Sequence, residues 1–110
     1  GERIKEILED VADNIFNPDP YLQQGGDMVR IGGMSYAIDV SKPIGSRLSD
    51  MTLTRTGKPL DANAEYVVGG WGRVNEGTEG PPIWELVFKH LEKKKTVAPS
   101  GGSNVKITGA

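Results

Sequence analysis

Apolar residues recur along the first segment at Ile4, Ile7, Leu8, Val11, Ala12, Ile15 and Phe16, the i, i+3, i+4, i+7, i+8 spacing of a single helical stripe. The pattern predicts a helix over residues 2–16. Glu2, Arg3, Lys5, Glu6, Glu9, Asp10 and Asp13 fill the other positions and read as a solvated face, with Lys5 and Glu9 an i, i+4 pair worth roughly a few tenths of a kcal/mol. Asn17-Pro18-Asp19-Pro20 stops the helix, because each proline lacks an N–H and disfavours the α region for its predecessor. At the other end the chain begins at Gly1, with no initiating methionine and no room for an N-cap. The chain is therefore expected to be cut from a longer protein.

From Tyr21 to Trp71 the period changes from 3.6 to 2. Met34, Tyr36, Ile38 and Val40 alternate with Ser35, Ala37 and Asp39, which predicts a half-buried strand. Met28–Ile31, Leu48–Thr54 and Tyr66–Trp71 read as further strands. Gly32-Gly33, the Pro43–Gly45 stretch and Gly57-Lys58-Pro59 separate them at short intervals, favouring antiparallel neighbours over helical crossovers. A second helix is expected after Gly80-Pro81-Pro82, with Trp84, Val87, Phe88 and Leu91 on one face and Lys89, Lys93, Lys94 and Lys95 gathered towards its end, where cations suit the helix dipole. Pro99-Ser100-Gly101-Gly102-Ser103-Asn104 has the composition of a flexible linker, and Val105–Thr108 is at most a short edge strand. The fold class expected is α+β, an antiparallel strand meander flanked by two amphipathic helices, with residues 1–95 as the folded part and 96–110 as a flexible C-terminal tail.

Composition narrows the chemistry. The 110 residues suffice for one domain. No apolar run approaches the roughly 18–20 residues needed to span a bilayer, and no secretory leader is recognisable. The net charge of −2 gives no reason to expect nucleic acid or a membrane surface as partner. With Cys 0 and His 1, a transition-metal site or cysteine nucleophile within the chain is not expected.

Two glycine-rich polar runs stand out, Gln23-Gln24-Gly25-Gly26-Asp27-Met28-Val29-Arg30 and Gly69-Gly70-Trp71-Gly72-Arg73-Val74-Asn75-Glu76-Gly77. Neither is a phosphate loop or a dinucleotide fingerprint, for the required lysine or third glycine is missing. Glycines at strand ends serve turns and bulges, and they also permit close approach of a ligand to the backbone. The guanidinium of Arg30 or Arg73 suits an anionic oxygen group, since its planar fork donates paired hydrogen bonds, or else lies in a weak surface ion pair. His90 sits beside the apolar stripe of the second helix, a place for a packing or surface histidine rather than a general base. Asp27, Asp39, Asp50 and Asp61 lack the alternate spacing of a calcium loop.

The order of signals adds a resemblance. An amphipathic helix is followed by Asp19-Pro20-Tyr21-Leu22-Gln23-Gln24-Gly25-Gly26-Asp27-Met28-Val29-Arg30-Ile31-Gly32-Gly33-Met34, then Pro43-Ile44-Gly45-Ser46-Arg47-Leu48, then Tyr66-Val67-Val68-Gly69-Gly70-Trp71. Over residues 1–92 this resembles the C-terminal domain of the 5'-nucleotidase superfamily. Within it, the Gln23–Arg30 stretch and the Gly-Trp loop are similar to the thiosulfohydrolases of sulfur oxidation, the SoxB type. The resemblance implies a periplasmic parent hydrolase whose N-terminal metallophosphatase-like domain holds two manganese ions. Its reaction would be hydrolysis of a cysteine S-thiosulfonate on the C-terminal arm of a sulfur carrier protein, releasing sulfate. It implies no cofactor, metal ligand or catalytic residue in this segment, which alone would be inactive. Gln24, Gly25, Gly26, Asp27, Arg30, Trp71, Arg73 and Asn75 would line the substrate channel. The nucleotidases carry an Asn-Gly-Gly-Asp-Gly-Phe loop whose aromatic ring stacks on the base, whereas residues 69–77 have no phenylalanine at that spacing. Trp71 could still supply a stacking face. A 5'-nucleotidase or related phosphoesterase, and a free-standing binding module, stand as the alternatives.

Overall fold

The computed structural model describes residues 1–70, 80–98 and 104–109. The chain divides into two compact units, residues 1–66 with 103–110 and residues 67–102.

The first unit is built on helix α1, Glu2–Phe16, and a sheet of three strands, β1 (Met34–Asp39), β2 (Leu48–Leu53) and β3 (Val105–Thr108), in the order β2-β1-β3. Leu8 and Ala12 of α1 join Met34, Tyr36 and Ile38 of β1 and Leu48 of β2 in the buried core, with Ile4, Phe16, Met28, Ile31, Val40, Met51, Leu60 and Val105 packed around them. The helical and alternating periods thus supply the two facing surfaces of one α+β layer pair. The sheet is mixed. β1 and β2 pair antiparallel, as their short connection allows, whereas β3 returns from the end of the chain to lie parallel to β1, with Tyr36 opposite Val105 and Ile38 opposite Ile107. The register of β1 and β2 jumps between Ser35–Thr52 and Ala37–Ser49, leaving Asp50 and Met51 opposite Tyr36 alone, and Asp50 takes a left-handed conformation at this bulge. Beyond β2, the N–H of Leu60 donates to the Met51 carbonyl at 2.8 Å and Thr52 bridges Pro59, so returning chain covers part of that edge.

Two expected strands do not form. Residues 28–31 join no ladder. Met28 and Ile31 turn inward against the core, while positive-φ glycines at 25, 26 and 33 bracket the segment and keep it from running straight alongside a neighbour. Residues 66–70 likewise find no strand partner among the described residues, and an apolar run without one is not a strand. Trp71, the last of that expected strand, lies outside the described residues.

The charged face of α1 is only partly solvated. Glu9 is 3% exposed, and its carboxylate accepts N–H groups from Gly45 at 2.9 Å, Arg47 at 3.4 Å and Leu48 at 2.8 Å. These amides belong to the Pro43–Leu48 connection, where the N–H of Ser46 donates to the Pro43 carbonyl and Gly45 has φ 88°, the glycine-requiring geometry of a type II turn. Arg47 is 2% exposed and reaches the other way, donating to Asp13 Oδ1 at 2.8 Å and to the Phe16 carbonyl at 3.4 Å. Periodicity places Glu9 and Asp13 outside the apolar stripe. The turn docks on that side of the helix and brings amides and a guanidinium, which the two carboxylates satisfy with charge-assisted hydrogen bonds.

In the second unit, α2 spans Ile83–Lys94 behind Pro82. Glu85 lies in its first turn and Lys93 and Lys94 in its last, in keeping with the helix dipole. The stripe of Trp84, Val87, Phe88 and Leu91 is uncovered within its own unit, and His90 is exposed.

Glu9→Ala should lower the unfolding free energy by about 3 kcal/mol, since it strands buried N–H groups beside a buried guanidinium; a reduced urea midpoint is the check. Acid should act through Asp13 and Asp39. Hydrogen bonds from the Arg47 guanidinium and then the Asn17 amide hold the Asp13 carboxyl below the usual carboxylate range, and the Ser41 hydroxyl does the same for Asp39. Both carboxyls bind their protons less readily in the folded chain than in the unfolded one. Their stabilisation is therefore fully present above the unfolded value and lost as pH falls through the lowered folded ones. The urea midpoint should decline below about pH 4, and Asp13→Asn should flatten that decline.

Candidate functional site

The end of α1 sets the course of the polar run that follows. Asn17 donates its side-chain amide to Asp13 Oδ2 at 2.9 Å and accepts the Asp19 N–H at 2.9 Å on its own side-chain oxygen. Asp19 then caps a single 3-10 turn at Pro20–Leu22 by accepting the Tyr21 N–H at 3.0 Å. Past this turn the chain doubles back to the helix: Gln23 Nε2 donates to the Asn17 carbonyl at 2.7 Å, and the Gly25 N–H donates to the Asn14 carbonyl at 2.9 Å. Helix-end carbonyls that lack intrahelical partners thereby become anchors for residues 23–25.

Gly25 and Gly26 have φ of 80° and 98°. No protein atom lies within 4 Å of a Cβ built on either, so backbone conformation, not crowding by the protein, requires glycine here. The strap then runs to Ile31 with Met28 and Ile31 inward against the core and Asp27, Val29 and Arg30 exposed. The side chains of Gln24, Asp27 and Arg30 have no hydrogen-bond or ion-pair partner among the described residues.

The far end of the strap is held from a distant part of the sequence. Asn104, just before β3, donates its side-chain amide to the Ile31 carbonyl at 2.9 Å and to the Met34 carbonyl at 2.6 Å. Its own backbone carbonyl accepts the Tyr36 N–H at 3.2 Å, and between its two acceptors the Gly33 carbonyl accepts the Thr54 N–H at 3.0 Å. Gln24, Gly25, Gly26, Asp27 and Arg30 therefore share one surface strap fixed at both ends. Trp71, Arg73 and Asn75 lie outside the described residues. The sequence reading missed Asn104, which closes a linker-like Ser/Gly run; its only signal is an amide-bearing residue immediately before a short apolar alternation.

Chemically, the strap offers one exposed cation, Arg30, with an amide and a carboxylate nearby in sequence, on backbone that is itself tethered. The planar fork of an exposed guanidinium suits an oxyanion. Among the described residues no group of His, Cys, Asp and Glu side chains is placed to hold a metal ion, and no helix is long and apolar enough to cross a membrane.

No curated protein matches the sequence. Among solved structures, the sulfate thiohydrolase SoxB of Thermus thermophilus, determined in complex with glycerol, is similar with a TM-score of 0.80 and 36% identity over 99% of this chain. This chain spans 21% of that one. Residues 1–85 match the family described as 5'-nucleotidase, C-terminal domain. With most of its length inside that match, and the helix, turn and mixed sheet in place, the chain belongs to the 5'-nucleotidase C-terminal domain family.

Proposed function

We propose that this chain is the substrate-side C-terminal domain of a thiosulfohydrolase, in which the Gln23–Arg30 strap helps admit and hold a cysteine S-thiosulfonate carried on the arm of a sulfur carrier protein. The observation that carries this reading is the similarity to a sulfate thiohydrolase along 99% of the chain, coupled to an Arg30 exposed and unpaired among the described residues. A thiosulfonate presents anionic sulfonate oxygens on a slender peptide arm. The Arg30 fork suits such oxygens, and Gly25 and Gly26 keep the neighbouring surface low.

In this reading residues 1–95 belong to the domain, with β3 completing its sheet, and the parent hydrolase works in the periplasm with an N-terminal metallophosphatase-like domain holding two manganese ions. On the same reading the metal chemistry belongs to another part of the parent, and this segment alone is inactive. Its contribution is binding: Arg30 neutralises the sulfonate, and Gln24 and Asp27 bond the arm's polar backbone.

In the parent hydrolase, Arg30→Ala should raise KM for the carrier-bound thiosulfonate about tenfold, the size of one charge-assisted hydrogen bond, with metal content unchanged. Steady-state kinetics on carrier conjugates and elemental analysis are the measurements. Unchanged KM would remove the strap from the site, and faster hydrolysis of AMP than of the carrier conjugate would make the parent a nucleotidase.

A further inference from the structure

Asn104 lies more than seventy residues from the strap in sequence, yet it makes the only side-chain hydrogen bonds to the strap's exit among the described residues. Both acceptors are backbone carbonyls, so only the amide nitrogen, with its two N–H groups, can satisfy them together. They flank the Gly32-Gly33 turn, where Gly33 has φ 81°, and the first belongs to Ile31, the residue after Arg30. At the entrance the Asn14 and Asn17 carbonyls hold Gly25 and Gln23. Between these fixed points lie residues 26–30, with Met28 as their one inward anchor.

Resting on the thiosulfonate-binding reading above, we infer that Asn104 is a positioning residue for Arg30. By fixing the Ile31 and Met34 carbonyls it pre-orders the strap, so that the guanidinium meets its oxyanion without the entropy loss of ordering five residues. The segment around it has a linker's composition, but its last residue locks the substrate-facing surface. An isosteric carboxylate cannot replace it, because Asn104→Asp would set a negative charge against two carbonyl oxygens.

The test compares Asn104→Ala, Asn104→Asp, Arg30→Ala and the Asn104→Ala/Arg30→Ala double variant in the parent hydrolase. Thr108→Val serves as control, since it removes the Thr108 hydroxyl bond to the Ile38 carbonyl on the same strand without touching the strap. Asn104→Ala and Asn104→Asp should raise KM for the carrier-bound thiosulfonate about three- to tenfold, as expected for one or two lost hydrogen bonds, with kcat nearly unchanged. The double variant should be no worse than Arg30→Ala alone. In the parent hydrolase isotope-labelled over this segment, the amide order parameters of residues 26–30 should fall below about 0.6 in both Asn104 variants, while Thr108→Val leaves KM and the order parameters as they were. If Arg30→Ala raises KM but the Asn104 variants do not, or if the two losses add in the double variant, Asn104 is a brace of the sheet and the positioning role is overturned with the strap's binding role intact. Unaltered order parameters overturn it equally. Silence of Arg30→Ala removes the binding reading itself, and the inference about Asn104 with it.

Discussion

The first unit depends on the Glu9 carboxylate. A helix and a sheet can face each other through apolar side chains alone, but the connection between β1 and β2 must cross the helix with its backbone amides pointing inward. Leaving three such donors without acceptors, with those of Arg47 and Leu48 buried, would cost on the order of several kcal/mol. Glu9 accepts all three, and charge-assisted bonds to one carboxylate fix the height and direction of the turn more tightly than apolar contact could. Arg47, brought in by the same turn, returns a positive charge to the helix through Asp13 and ties down the Phe16 carbonyl. Neither buried charge is tolerable without the other groups, so the helix and the Pro43–Leu48 turn dock as a set.

The same helix end organises the candidate site. Within one turn of α1, Asp13 holds Arg47, the Asn14 carbonyl holds Gly25, and Asn17 holds Asp19 and Gln23. Each bond uses a group that a helix C-terminus leaves free or a short polar side chain that serves such an end. Scaffold and strap consequently share one origin, and a disturbance of the Glu9–Arg47 set would reach the strap through the last turn of α1. Binding residues on a loop gain precision in this way, from a rigid element beside them rather than from their own contacts.

What could be read from sequence follows the range of each signal. α1 and α2 appear at their expected positions because a stripe repeating every 3.6 residues is a local property, and β1 and β2 because alternation and flanking turns are local too. Strand pairing is not local. Residues 28–31 have the composition of a strand and join no ladder, whereas Val105–Thr108, with weaker signals, completes the sheet in parallel with β1. Glu9 and Asp13 read as solvent-facing because a pattern of apolar positions says nothing about amides arriving from a distant part of the chain. The strap residues Gln24–Arg30 stood out as a dense polar run, but Asn104, which pins their exit, has no sequence link to them.

Arg30 and Arg47 show why residue type alone could not rank the candidates. Both follow a glycine turn signal by a few residues, and either guanidinium could hold an oxyanion. Arg47 is enclosed and already bonded to a carboxylate and a carbonyl, so an incoming anion would have to displace a buried internal partner at a cost exceeding its own binding. Arg30 is exposed and has no such partner among the described residues; an anion there competes only with water. A free exposed guanidinium binds weakly when its backbone is loose, because ordering the loop consumes the gain. Tethering that backbone at Gly25 and Ile31 leaves the side chain free while limiting that loss, and on this combination the proposed binding role of Arg30 rests.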